Sequence, residues 1–367
     1  MNRARSALLL VAILSISCGN EARPGPSLGD FDRAAMLRSI GETVALPLYR
    51  HFEAEAGALV SAAEAYCAAP AEVPLDEVRA AWWTARAPWK KAEVFSFGPY
   101  SDLPWRLGPK IDSWPVREKN VDGLLQGATP LDEAALAAQG ASNRGLPVIE
   151  YLLYAPGAET AFADGAKGAR RCAYLVAASR DLRTNAHAMV EAWETTYLDE
   201  LANAGAGSKA FASLDAAVGE LLNRMVFLAE NMRELKLGKP MGMSSGGDPR
   251  PALLESAYSG RSLQDLRDDL AGLRAVYAGV HEGVVGVGLA DYVRLRRSAV
   301  DPVVSEHFVE AERALDAVQE PLADHLTPRD LETQLAYRAL KSVHRILGVD
   351  VANALALTVT FNDSDGD

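Results

Sequence analysis

Two tryptophans, an arginine and a glutamate follow each other at steps of four, three and four residues: Trp82, Arg86, Trp89 and Glu93. Residues three and four apart share a face of an α-helix, so this spacing predicts that all four line one helical face. Such a face is a candidate ligand-binding surface. The alternative is that the indoles pack in the core while the arginine and glutamate form a structural ion pair, because buried charges need partners.

A second candidate group is the stretch Gly-Leu-Pro-Val-Ile-Glu from Gly145 to Glu150. Pro147 suits the first turn of a helix, where a missing N–H costs nothing. Glu150 is then expected near the positive end of that helix, which favours its ionised form. Two interpretations stay open. Glu150 serves helix electrostatics alone, or it pairs with a basic group such as Arg86 or binds a cation with ligands from elsewhere.

Three further motifs follow the same order along the chain: Ile-Asp-Ser-Trp-Pro at 111–115, Glu-Ser-Ala-Tyr-Ser at 255–259 and Leu-Gly-Val at 347–349. Together with the helical face and the Gly145 stretch, this ordered series resembles the imelysin family, bacterial exported proteins also classed as imelysin-like peptidases. The resemblance extends from about Val44 to the C-terminus. Each motif is weak by itself, whereas five in order are hard to reach by chance.

The resemblance implies an all-α fold of two related helical bundles, a site at their interface and a link to iron acquisition at the bacterial envelope. It also implies a Gly-x-His-x-x-Glu motif, whose histidine and glutamate could hold one metal ion from the same helical face. Gly145 and Glu150 match this motif, but the histidine position is Pro147, which has no donor atom. The candidate ligand-binding residues are Trp82, Arg86, Trp89, Glu93, Asp112, Trp114, Gly145, Pro147, Glu150, Ser256 and Tyr258.

A metal site elsewhere would need another histidine. His187 and Glu191 are four residues apart, so they share a predicted helical face. With 49 acidic residues and six histidines in 367 positions, such pairs arise nearly as often as chance predicts. The candidate metal ligands are therefore Glu150 and the pair His187 and Glu191. The sequence does not identify a cofactor, although iron or another divalent metal fits these side chains.

The N-terminus has the layout of an export signal. Arg3 and Arg5 precede an apolar stretch that is too short to span a bilayer and ends at Cys18. Residues 1–17 are predicted to be a signal peptide, Cys18 a lipidation site and residues 18–29 a flexible tether, with plain secretion as the alternative. Because no aspartate follows Cys18, we expect a periplasmic lipoprotein anchored in the outer membrane, with the lipid as its membrane contact.

Charge and cysteine content narrow the partners and the compartment. The chain carries 37 basic and 49 acidic residues, a net charge of −12, which argues against a nucleic acid partner. Apart from Cys18, the cysteines are Cys67 and Cys172. An exported protein meets an oxidising compartment, so a disulfide between them is one expectation and two buried thiols are the other.

Apolar residues recur every three or four positions in six long runs, beginning near Leu37, Leu175, Leu214, Leu263, Val300 and Arg329. No run of comparable length alternates with period two, so an all-α fold is predicted. The predicted domains are residues 30–205, an N-terminal bundle with a long irregular loop at 98–143, and residues 206–367, a C-terminal bundle. Loops of that length are often functional.

Three functions are consistent with these features. The first is an imelysin-like lipoprotein that binds iron, another metal or haem without catalysis and assists iron uptake, alone or with an envelope iron-uptake protein. The second is an imelysin-type metallopeptidase, for which the motif offers only Glu150 as a zinc ligand. The third is a scaffold for a protein partner. No serine-hydrolase elbow, nucleotide-binding loop or His-Glu-x-x-His helix is present in the sequence.

Overall fold

The computed structural model describes residues 31–243, 246–327 and 330–359. The predicted signal peptide, Cys18 and the tether lie outside these ranges. No helix within them is both long and apolar enough to cross a membrane.

The prediction of an all-α fold is confirmed. The α-helices of the described residues are α1 (Arg33–Ile40), α2 (Leu46–Ala68), α3 (Leu75–Ala92), α4 (Gly108–Ile111), α5 (Glu118–Gln126), α6 (Glu133–Ala137), α7 (Leu146–Tyr154), α8 (Ala158–Ala163), α9 (Gly165–Ala192), α10 (Leu198–Ala202), α11 (Leu214–Glu230), α12 (Ser262–Ala278), α13 (Leu289–Arg296), α14 (Val300–Ala317), α15 (Leu331–Arg345) and α16 (Ala352–Leu355). The described strands form one antiparallel hairpin, β1 (Val280–His281) with β2 (Val284–Val285).

Segments of π-helix join or extend several of these α-helices. Gly41–Ala45 joins α1 to α2, Trp193–Tyr197 joins α9 to α10, Asn231–Gly238 extends α11, and Ile346–Val351 joins α15 to α16. Short 3₁₀ segments lie at Glu93–Phe95, Gly98–Tyr100, Ala141–Asn143, Pro251–Leu253 and Leu322–His325. Insertions of this π type are frequent near functional sites, and the Asn231–Gly238 segment carries one of the charged residues described below.

Helix α3 has charges that match its dipole. Asp76 and Glu77 lie in its first turn, and Lys90 and Lys91 lie in its last turn, which is the arrangement that stabilises a helix at both ends. Pro74 precedes the helix in an extended conformation. Trp82, Arg86 and Trp89 therefore lie on a helix whose two ends are stabilised by charged side chains.

Helices α3 and α12 pack closely across the predicted domain boundary. A side chain on Gly272 would place its Cβ 2.0 Å from the carbonyl oxygen of Lys91, so glycine is required for the two backbones to approach. Because α12 belongs to the second half of the chain, this contact brings the two halves together at one site. The buried apolar residues of both halves form a continuous core, and the division at residue 205 stays a prediction.

The segment 98–143 is not the irregular loop that was predicted. It contains the short helices α4, α5 and α6, and Ile111, Val121 and Leu136 are buried in the core. The sequence suggested a loop because the stretch is rich in Pro, Gly and Trp and its helices are short. The segment is consequently part of the packed structure around the site.

A disulfide joins Cys67 to Cys172, with their Cα atoms 5.5 Å apart. It links the end of α2 to the beginning of α9, two helices that also pack along much of their lengths. Of the two expectations for these cysteines, the structure has the disulfide.

Candidate functional site

Gly145 sets the direction in which α7 leaves the preceding turn. It lies just before the helix with φ of +85°, a conformation that residues with a side chain rarely adopt. A Cβ at this position would lie 2.3 Å from the carbonyl oxygen of Ile111. The first glycine of the motif is therefore explained by backbone geometry.

We expect Gly145→Ala to lower the free energy of unfolding by at least about 1 kcal/mol, because alanine is strained at this φ and its methyl group meets a backbone oxygen. Gly123→Ala is the matched control, since Gly123 is inside α5 with no neighbour within 4 Å, and alanine there should be neutral or stabilising. Urea unfolding of both variants measures the difference. Equal stability of the two variants would contradict the requirement for glycine at position 145.

Pro147 lies in the first turn of α7, as predicted. Glu150 is the fifth residue of that helix, so it lies beyond the first turn and helix electrostatics alone do not account for it. Its side chain is buried, with 4% of its surface exposed. Its Oε1 accepts hydrogen bonds from the backbone N–H of Ser259 (2.9 Å) and from the Ser259 hydroxyl (2.8 Å). Glu150 therefore ties α7 to the turn that precedes α12.

Burial raises the pKa of Glu150 to about 7, although the two Ser259 donors and the nearby charge of Arg86 act in the opposite direction. The alternative in which Glu150 pairs with Arg86 is not formed, because the guanidinium contacts other carboxylates. A carboxyl group with this pKa changes between its neutral and ionised forms near neutral pH.

A cavity of about 310 Å³ opens above Glu150 between the two halves of the chain. Its walls include Trp114, Pro147, Leu254 and Tyr258. Several candidate residues named from separate motifs therefore meet here: Trp114, Pro147, Glu150, Ser256 and Tyr258. A volume of this size is at the lower end of the range for sites that bind small organic molecules.

The turn that contains Ser256 and Tyr258 is held by hydrogen bonds at several points. Ser256 has φ of +51°, and its hydroxyl donates to Asp265 Oδ2 at 2.5 Å. The Tyr258 hydroxyl donates to Glu118 of α5, and its ring lies edge-on to Tyr151 at 5.3 Å. The left-handed conformation of Ser256 is thus stabilised by its own side chain, and the turn forms a fixed wall of the cavity.

A group of buried charges, here called the central cluster, lies next to the cavity. Arg86 is its centre, because its guanidinium donates to Asp265 Oδ2 (2.9 Å), Glu255 Oε1 (2.8 Å) and Asp112 Oδ2 (3.2 Å). Arg86 is 1% exposed. These carboxylates come from α12, from the turn before it and from the segment after α4, so one arginine links three parts of the chain.

Glu93 belongs to another part of the central cluster and does not pair with Arg86, so the alternative of an Arg86–Glu93 ion pair was wrong. It accepts hydrogen bonds from Lys90 and from Lys236, the latter at 2.7 Å. Lys236, on the π-helical end of α11, also donates to Asp269 Oδ2 at 2.7 Å. Arg86 on α3 and Glu93, which begins the 3₁₀ segment after it, therefore bind different partners.

The central cluster contains more acids than bases. Its members are the basic residues Arg86, Lys90, Lys236 and Arg261 and the acidic residues Glu93, Asp112, Glu255, Asp265, Asp268 and Asp269. Burial raises the pKa of Asp112 and of Asp269, whereas Lys236, Lys90 and Arg86 lower that of Glu255 against the effect of burial. The excess negative charge is thus relieved by raised pKa values at some members.

The tryptophans of α3 pack in the core and hold the site through their N–H groups. Trp82 Nε1 donates to the carbonyl of Leu146 at 3.0 Å, and Trp89 Nε1 donates to Asp112 Oδ2 at 2.9 Å. Both indoles are buried. The packing interpretation therefore applies to Trp82 and Trp89, while Trp114 lines the cavity.

The second candidate metal pair does not come together as predicted. His187 Nδ1 contacts Glu53 Oε1 at 2.7 Å, and the His187 side chain is 66% exposed. Glu191 follows on α9 without joining this contact. Within the described ranges no group of three or more His, Cys, Asp or Glu side chains could hold a metal ion. Pro147 contributes no donor to Glu150, so a metal held entirely by protein ligands does not fit this site.

Glu255 and Ser259 were named only as part of a family motif. Several other central residues were not singled out from the sequence: Lys90, Lys236, Arg261, Asp265, Asp268 and Asp269. A signal was present on α12, where three aspartates lie among leucines at core spacing. Charged residues on a face that must be buried need partners there, and that argument would have identified them.

The fold and site define a class: an all-helical protein whose two halves enclose a small cavity beside a buried group of charges. The chain belongs to the imelysin family, whose family model matches residues 45–347. The resemblance found in the sequence motifs is thereby confirmed.

Relatives and solved structures agree with this assignment. The chain is 28% identical over 300 residues to iron-regulated protein A of Synechococcus elongatus, covering 80% of this chain and 78% of that protein. Its fold matches an iron-regulated protein A precursor from Parabacteroides distasonis with a TM-score of 0.78 at 20% identity, over 91% of this chain and 97% of the other. An imelysin-like protein from Psychrobacter arcticum matches with a TM-score of 0.71 at 20% identity, over 90% and 97% of the two chains.

Proposed function

We propose that this chain is an exported protein of the bacterial envelope that assists iron acquisition by binding an iron-bearing ligand, without catalysing a reaction. The observation that carries the proposal is the cavity between the two halves, with the buried carboxylate of Glu150 in its wall. Membership of the imelysin family and the similarity to iron-regulated protein A support the link to iron. The relative named as a precursor supports export.

The side chains around the cavity favour chelated iron, whose coordination is supplied by the chelator, over a bare ion. Glu150 has one oxygen occupied by Ser259, and the motif histidine is replaced by Pro147, so the site offers too few protein ligands for a bare ion. Haem is less suitable, because its propionates would meet Glu118 and Glu150 in the cavity wall. A neutral or cationic chelate avoids this repulsion.

The metallopeptidase alternative needs three protein ligands and a water on zinc. Glu150 is the one member of the motif pair that could serve, which is why the proposal is non-catalytic. Lipidation of Cys18, anchoring in the outer membrane and contact with an envelope iron-uptake protein belong to the same proposal.

The partner-scaffold alternative was based on the segment 98–143. Ile111, Val121 and Leu136 anchor this segment to the core, whereas many of its other residues are exposed, Leu103 by 81%. A single exposed leucine is common on protein surfaces, so the cavity is the better supported site.

Calorimetric titration of the full chain tests the proposal, with ferrous iron, ferric citrate, haem, zinc and a ferric trihydroxamate carrying a free amine as ligands. We expect saturable binding of a ferric chelate, and an affinity at least about tenfold lower in Glu150→Ala, because a hydrogen bond to a charged group is lost. Glu310→Ala is the control, since Glu310 is exposed on α14. Absence of binding by every iron species would overturn the proposal.

A further inference from the structure

The charge of the cavity wall is one-sided. Glu118 and Glu150 both line it, and no lysine, arginine or histidine occurs among the described residues around it. A cavity whose walls carry charge of one sign concentrates ligands of the opposite sign. The wall therefore selects a cation, or a ligand whose inserted part is cationic.

Glu150 provides a specific contact for such a ligand. Both Ser259 donors use Oε1, while an ionised carboxylate has lone pairs on two oxygens, so Oε2 is available to a further donor. The side chain is 4% exposed, and a buried carboxylate gains strongly from a charged hydrogen-bond donor because water does not compete with it.

The basic residue nearest to Glu150 does not neutralise this preference. Arg86 is engaged by Asp112, Glu255 and Asp265, and the central cluster to which it belongs contains six acids and four bases. Arg86 is therefore compensated within the central cluster, and it does not line the cavity.

The remaining wall is largely apolar. Trp114, Val116, Pro147, Pro251 and Leu254 line it, and such surfaces favour the hydrocarbon part of a ligand. Tryptophan is also the aromatic residue that attracts organic cations most strongly. A strongly hydrated inorganic cation would gain nothing from these residues, whereas a protonated amine with an alkyl or aromatic body would use both parts of the wall.

We propose that the cavity binds an organic monocation, a protonated alkyl or aralkyl amine, with its ammonium group on Glu150 and its apolar part against Trp114, Pro147 and Leu254. This inference rests on the proposed function in taking the cavity as the ligand site, and it specifies the ligand class. An iron chelate that carries a protonated amine arm satisfies both proposals, whereas ferric citrate, an anion, satisfies only the first.

The test uses three probes of nearly equal shape and different charge: 2-phenylethylammonium, 2-phenylethanol and phenylacetate. The full chain is titrated calorimetrically with each at about pH 8, where Glu150 is largely ionised and an alkylammonium is still protonated. We expect saturable binding of the ammonium probe, affinity at least about tenfold lower for the alcohol, and no binding of phenylacetate.

Glu150→Gln is the matched variant, because glutamine keeps the shape and still accepts from Ser259 but carries no charge. Glu150→Gln should lower the affinity for the ammonium probe at least about tenfold and leave the affinity for the alcohol nearly unchanged. Glu310→Gln should change neither affinity. Trp114→Leu is a second variant, which should lower the affinity for the ammonium probe more than the affinity for the alcohol. It keeps the inference testable if Glu150→Gln fails to fold.

Equal affinities of the ammonium and alcohol probes, or undiminished binding by Glu150→Gln, would overturn the inference. If no amine binds while a ferric chelate does, the inference fails and the proposed function stands. If the amine binds while no iron species does, the proposed function fails and the amine site stands.

Discussion

Arg86→Met is expected to lower the free energy of unfolding by about 3–5 kcal/mol, the range for removing one partner of a buried ion pair. Arg86 donates hydrogen bonds to three carboxylates and is almost fully buried. Methionine fills much of the space but leaves Asp112, Glu255 and Asp265 without their shared cation. Since domains are stable by about 5–15 kcal/mol, this single change removes a large part of the total. Urea unfolding at pH 7 measures it.

The pH dependence of stability distinguishes the contribution of the Arg86 charge from that of its packing. The pKa of Glu255 and that of Asp265 are lowered in the folded protein by neighbouring basic groups, Arg86 among them, although burial acts in the opposite direction. A lowered pKa contributes stability above the ordinary carboxyl value that is lost as the pH falls through the folded value. The difference in free energy of unfolding between wild type and Arg86→Met should therefore become smaller as the pH falls below about 4.

Arg50→Met is the control for this prediction. Arg50 also pairs with a glutamate, Glu194, but its side chain is 58% exposed, and surface ion pairs contribute about 0–1 kcal/mol. If Arg86→Met were no more harmful than Arg50→Met, or if its effect did not change with pH, the central cluster would not be held together by the charge of Arg86.

Removal of the disulfide is expected to lower the free energy of unfolding by about 4–5 kcal/mol on the chain-entropy model. Cys67 and Cys172 are 105 residues apart, so the bond restricts a long segment of the unfolded chain. The double variant Cys67→Ala/Cys172→Ala tests this, in a Cys18→Ser background that leaves no other thiol. Urea unfolding under oxidising conditions, compared with the disulfide-bonded protein, measures the loss.

Reduction of the disulfide-bonded protein provides the control, because it breaks the bond and keeps both side chains. If chain entropy dominates, the reduced protein and the double alanine variant should have similar stability, and reductant should not affect the variant. A reduced protein as stable as the oxidised one would contradict the prediction.

Local pattern determined a large part of the fold. Apolar residues at helical spacing predicted the long helices, because burying a stripe of side chains requires a period near 3.6. Pro147 in a first turn and Trp82, Arg86 and Trp89 on one helix followed from rules that act over a few residues. The segment 98–143 was misjudged because it is rich in Pro, Gly and Trp and its helices are too short to give a long periodic run.

Partners across the chain were beyond these rules. Arg86 meets Asp265, which is 179 positions away, and Lys236 meets Glu93 at a separation of 143. Helical spacing offered an Arg86–Glu93 ion pair as one alternative, because buried charges on one face need partners. Both needed compensation for burial, but Arg86 found its opposite charges in distant parts of the chain, and Glu93 found them in Lys90 and Lys236.

The sequence by itself determined that the protein is all-helical, that it belongs with the imelysins, and that its motif has proline in place of histidine. Only the tertiary structure decided that Glu150 binds Ser259, that Arg86 balances three carboxylates, and that Trp114 and Tyr258 face one cavity. The physical reason is that helix formation depends on neighbours within two turns, whereas the energy of a buried charge depends on every group packed around it, whatever its position in the chain.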